Sequence, residues 1–98
     1  MIEQLLQQHF ALPYPGHDLL PDSDLELLDA DVVGLATSYL DRGSLSEQEL
    51  GMLRRCLVEA EAIVPTLQGD AQVYFEGVRV LAAAVLQNVD RARGPTSA

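Results

Sequence analysis

Asp22, Asp24 and Glu26 stand at alternate positions, the spacing with which the opening of a calcium loop offers oxygen ligands to a hard cation. The match fails downstream. Leu27 occupies the place that needs glycine for the turn, and Val33 the place that needs a bidentate glutamate. A solvated acidic segment is expected there, without a metal. His9, His17 and Cys56 are the soft metal ligands and the nucleophile and base candidates, yet no two have the close spacing of a zinc or Cys-His motif. His9 reads as a helix-face residue, His17 as a polar loop residue and Cys56 as a small packed hydrophobe. Carboxylates are plentiful, but acid-base catalysis needs a cleft that drives two pKa values apart, and a small helical domain offers little cleft volume. There is no Gly-rich phosphate loop, nucleophile elbow or repeat. The expectation is a protein that is not an enzyme and carries no cofactor.

Binding is the remaining class of function, and charge narrows it. Of the chain's 98 residues 15 are acidic and 6 basic, a formal charge of -9. The basic residues are scattered arginines with no lysine, so nucleic acid, whose binding draws on clustered cations, is not an expected partner, and neither is an anionic membrane surface. Asp18, Asp22, Asp24, Glu26, Asp29 and Asp31 fall within one short stretch that holds no basic residue. They follow a rigid turn, Pro13-Tyr14-Pro15-Gly16, whose tyrosine combines apolar area with a polar tip. Tyr14 and these six acids are the expected partner-binding patch, and complementary fields favour a basic protein partner.

The elements that must position this patch read as all-α. Ile2, Leu5, Leu6, His9 and Phe10 recur at helical spacing, and Pro13 stops that short helix. His17 to Leu28 reads as an acidic loop with at most one helical turn, pinned to the core by Leu19, Leu20, Leu25, Leu27 and Leu28. Asp29 then caps a helix over Ala30 to Arg42, with Val32, Val33, Leu35, Ala36, Tyr39 and Leu40 as its stripe and Gly43 as a left-handed stop. Ser46 and Glu49 form a capping box, and Leu45 and Leu50 stand where a hydrophobic staple would clamp it. The helix they start carries Leu50, Leu53, Leu57, Ala60 and Val64 inward until Pro65 ends it. Asp70, after Gly69, caps the last helix, whose Leu81 to Leu86 stretch is apolar nearly all round. That helix is the most buried one or has a second apolar neighbour. Leu53, Leu57, Val78 and Leu81 are expected to share one core. Gly34, Gly51 and Gly77 fall inside helices and mark either close crossings or neutral surface positions. Arg54 and Arg55 read as surface ion-pairing groups for Glu59 and Glu61.

The whole is expected to be a compact antiparallel bundle of about four helices, a single domain over residues 1 to 93 with an acidic loop between the first two helices and a disordered tail over 94 to 98. A lone cysteine, an N-terminus without a basic start and the lack of a long apolar run point to the cytoplasm. Absence of lysine beside abundant Ala, Leu, Val, Asp and Arg is the composition of a high-GC bacterial genome. In size, acidity and helicity the chain resembles the helical immunity proteins of bacterial toxins, and that resemblance implies an immunity or antitoxin-type inhibitor that covers a basic surface of a toxin. The alternative is a structural or scaffolding protein that homodimerises, or docks into an assembly, through the apolar last helix.

Overall fold

Ser46 and Glu49 act as their spacing requires. In the computed structural model, which describes residues 1–15 and 23–93, the Glu49 amide donates to the Ser46 hydroxyl at 3.1 Å and the Ser46 amide donates to the Glu49 carboxylate at 2.8 Å. Two otherwise orphaned donors are thereby satisfied at the start of α3, Glu47–Ile63. Leu45 and Leu50 are both buried beside this cap, as a staple demands. Arg42 closes the same corner by donating to both Glu49 oxygens at 2.6 Å. That hydrogen bonding, with the Ser46 amide, holds the Glu49 carboxyl below the usual carboxylate range. Pro65 lies in a short 3-10 turn, Val64–Thr66, that carries the chain out of α3.

Four helices make up the described structure: α1 (Ile2–Ala11), α2 (Ser23–Arg42), α3 and α4 (Gly69–Arg93). The short links from α2 to α3 and from α3 to α4 fold consecutive helices back as antiparallel neighbours. Gly43 stops α2 with a φ of +76°, its amide donating to the Tyr39 carbonyl at 2.7 Å. Only glycine takes that left-handed geometry without strain. α4 begins one residue before Asp70, which lies in the first turn rather than capping it.

α2 departs from expectation at its start. It begins at Ser23, so Asp24 and Glu26 are helical and Asp29 is an interior residue instead of a cap. The reason is that Leu25 and Leu28 continue the buried stripe of Val32, Leu35 and Ala36 backwards at steps of three and four. Asp24 and Glu26 occupy a first turn, where negative charge suits the positive helix end. Leu27 and Leu40, off this stripe, are exposed, and Val33 and Tyr39 are half-buried. Of the expected acidic loop, Asp18 and Asp22, with Leu19 and Leu20, lie outside the described residues, as does the expected tail from 94 to 98.

α4 packs against each of the other three helices. Its all-round apolar run is covered from within: Leu81, Ala82, Val85 and Leu86 are buried against the chain's own neighbours. Phe75 is fully buried, a contribution of roughly 1.5–3 kcal/mol relative to an exposed ring. Leu53, Val78 and Leu81 share this core, whereas Leu57 is half-buried at its edge. Cys56, read as a small packed hydrophobe, is buried. Gly34 and Gly51 are exposed, with nothing within 4 Å of an added Cβ, so they mark no helix crossing. Gly77 faces His9, whose Nδ1 lies 3.8 Å from such a Cβ. The radius of gyration, 13.7 Å, is close to the about 13 Å of a compact 100-residue domain. No helix of the described residues is long and apolar enough to cross a membrane.

Candidate functional site

The helical phase of α2 divides the expected acidic patch. Seven residues apart, Asp24 and Asp31 fall on one side of the helix, and both line a cleft between α2 and α3. The cleft encloses about 420 Å³ and is completed by Leu27 and Leu28 from α2 and by Met52, Arg55, Cys56 and Glu59 from α3. A hollow of about 250 Å³ shares Asp24, Leu28 and Glu59 and continues the groove to Ala62 and Ile63. The charged groups lining the cleft are therefore three carboxylates and one guanidinium, beside the apolar side chains of Leu27, Leu28 and Met52.

Burial pushes the Cys56 thiol up, and Asp31 and Glu59 push it further, with Arg55 countering them only in part. A thiol held protonated is a poor nucleophile. Nor does the fold bring Cys56 and His9 together, because His9 lines a different cleft, with no lining residue in common. Among the described residues no group of His, Cys, Asp and Glu is arranged to hold a metal ion.

Asp29 points to the other side of α2. His9 donates from Nε2 to one Asp29 oxygen at 2.6 Å, and the Tyr74 hydroxyl donates to the other at 2.7 Å. The carboxylate thus bonds α1, α2 and α4 together. Both partners are buried, His9 with only 5% of its surface exposed and its ring 4.6 Å from that of Tyr74. Burial raises the Tyr74 phenol first, and the Asp29 carboxylate it donates to raises it further. His9 Nδ1, turned to Gly77, has no hydrogen-bond partner among the described residues. Asp29 is therefore placed in an internal polar cluster, and His9 is more than a helix-face residue.

Tyr14 is half-buried. Its ring stands edge-on to Tyr74 at 5.2 Å and to Phe75 at 6.3 Å, so most of its apolar area serves the core. Burial raises its phenol, with Glu26 and Asp29 adding to the effect, which places Glu26 within electrostatic reach of this turn. What the turn presents outward is different: Phe10, counted on the core stripe from its spacing, is 66% exposed. Leu12 and Val73 are exposed beside it, around clefts that Tyr14 and Tyr74 also line.

Of the expected patch the structure keeps Asp24 and Asp31 together, moves Glu26 and Tyr14 to another face and ties the half-buried Asp29 to His9 and Tyr74; Asp18 and Asp22 lie outside the described residues. Glu59 and Arg55, read from sequence as surface ion-pairing groups, belong to the cleft, while Arg54 reaches Asp90 of α4 at 4.0 Å. The signal that would have found the cleft is the i, i+4, i+7 series Asp24, Leu28 and Asp31, visible only once residues 23 to 28 are read as helix. Comparison with protein-family models, curated proteins and solved structures finds no match to this chain.

Proposed function

We propose that this chain is a small acidic protein-binding module whose α2–α3 cleft takes basic side chains of a partner, as an immunity or antitoxin-type inhibitor covering the cationic surface of a toxin would. The observation that carries the reading is the cleft rim of Asp24, Asp31 and Glu59 over walls of Leu27, Leu28 and Met52. Lysine and arginine lay their aliphatic stems on apolar surface and keep the charged head among polar groups. This cleft offers both, with an excess of negative charge over the single Arg55. The formal charge of -9 extends the same attraction to long range and accelerates encounter with a basic surface. The rival reading, docking through the last helix, draws less support, because the apolar run that motivated it is occupied by the chain's own core.

The test is affinity capture from the source organism with the native chain and with a triple variant, Asp24→Asn, Asp31→Asn and Glu59→Gln. A basic protein held by the native chain and released by the variant supports the proposal. Its association rate at low salt should fall about tenfold on neutralisation, since charges of this kind act mainly on encounter. Co-expression of the native chain should relieve growth arrest by that partner. Capture and association rates that the triple variant leaves unchanged would remove the cleft from consideration.

A further inference from the structure

Phe10 on the last turn of α1, Leu12 in the link that follows and Val73 on the first turns of α4 are large apolar side chains left in solvent, Phe10 and Val73 by 66% and 62%. They surround two adjoining clefts that share Leu12, Tyr14 and Tyr74 as walls. The first, about 280 Å³, continues past Pro13 and Val73 to Asp70; the second, about 240 Å³, continues past Phe10 and Val33 to Asp29. α1 has no need of Phe10 for its own packing, because Ile2, Leu6 and His9 already bury its inner face. Apolar side chains gathered around hollows, instead of scattered singly, mark a contact surface.

The charge of the surroundings decides the occupant. Asp70 supplies a carboxylate to the first cleft, the Asp29 carboxylate in the second already accepts from His9 and Tyr74, and among the described residues no lysine or arginine lines either one. A second copy of this chain would bring another -9 against the first, a repulsion that opposes self-association. A cationic amphipathic segment meets both demands, placing an apolar side chain in the cleft and a charge at Asp70. We infer that the Phe10, Leu12 and Val73 surface docks a cationic amphipathic segment of another protein, one apolar side chain entering between Leu12 and Tyr74 and a neighbouring lysine or arginine meeting Asp70. This rests on the reading of the chain as an acidic protein-binding module and adds a second, apolar contact to the α2–α3 cleft. The polar cluster of His9, Asp29 and Tyr74 holds α1 against α2 and α4, so the surface is supported from beneath and binding needs little ordering of the scaffold.

A dye-labelled synthetic amphipathic helix with a leucine face and a lysine face is the probe, and fluorescence anisotropy the measurement. Phe10→Ala with Val73→Ala removes exposed side chains only, and circular dichroism should show the native melt. Affinity for the probe should fall about tenfold or more, the usual cost of removing an apolar anchor. Asp70→Asn should slow association at low salt, and a probe with serine in place of leucine at equal charge should bind at least tenfold more weakly. Equal binding by the serine probe, or affinity unchanged in the alanine variant, would overturn the inference. Should the Asp24, Asp31 and Glu59 amide variant abolish binding while the alanine variant leaves it intact, the surface fails and the acidic-cleft function stands. A dimer in sedimentation that the alanine variant dissolves would likewise overturn the inference, in favour of a second copy.

Discussion

Asp29→Ala tests the polar cluster that joins α1, α2 and α4. It removes the acceptor of two buried donors, His9 Nε2 at 2.6 Å and the Tyr74 hydroxyl at 2.7 Å, and returns none. A buried donor left without an acceptor costs about 1–3 kcal/mol, so the two together cost roughly 2–6 kcal/mol. Against this, Asp29 is itself half-buried and sits in mid-helix, where alanine is better by about 0.5 kcal/mol. A net loss of about 1.5–5.5 kcal/mol follows, a large share of the roughly 5–15 kcal/mol that holds a domain of this kind together. Urea denaturation at neutral pH, followed by circular dichroism, reads it directly. Tyr74→Phe, which deletes one donor and leaves the His9 bond in place, should cost only about 1 kcal/mol. A double-mutant cycle of His9→Ala with Asp29→Ala should return a coupling of at least about 1 kcal/mol. A loss under about 0.5 kcal/mol for Asp29→Ala, or a coupling of zero, would mean that the cluster does not tie the three helices together.

Gly51→Ala should stabilise the chain by about 1 kcal/mol, because the position is exposed, mid-helix, free of positive φ and open around an added Cβ; an unmoved denaturation midpoint would contradict this. Leu53→Asp should abolish the cooperative melt by placing a charge in a fully buried site, whereas Leu57→Asp, at a half-buried position, should leave a folded chain of lowered midpoint. Stability should fall as pH rises above the ordinary phenol value of about 10. The sign follows from the raised Tyr74 phenol: above that pH the unfolded chain gives up the proton while the folded chain keeps it, so stability present at lower pH is lost on the way up. Denaturation midpoints of the native chain and of Tyr74→Phe across that range should converge, and parallel curves would refute the assignment.

How much of this was legible in the residues themselves depends on the range over which each feature is decided. The capping box of Ser46 and Glu49, the left-handed Gly43 and the apolar stripe of α3 are settled by neighbours within one or two turns, and all three stand in the structure as the spacing required. The all-α class followed from the same periodicities, as did the central place of α4, whose Leu81, Ala82, Ala84, Val85 and Leu86 are all buried. At the start of α2 two local signals conflict: the acids after Pro21 resemble a loop, although Leu25 and Leu28 carry the stripe of Val32 and Leu35.

The candidate site lay beyond local rules. Asp29 and Tyr74 are 45 residues apart, and nothing in either neighbourhood states that one carboxylate will accept from both a tyrosine and a histidine. Phe10 and His9 are adjacent on α1, and spacing alone put both on its inner face; only the approach of α2 and α4 decided that the histidine turns inward to Asp29 while the phenylalanine faces solvent. The same holds for the acidic run. Its composition follows from the chain, but side chains 100° apart around a helix point to different neighbours, so packing turned Asp29 toward His9 and Tyr74 and set Asp24 and Asp31 in one cleft with Glu59 of α3. Caps, stops and stripes are local energies, which a sequence states directly, whereas a cleft exists only where separate helices meet, and tertiary packing alone decides which of their faces do.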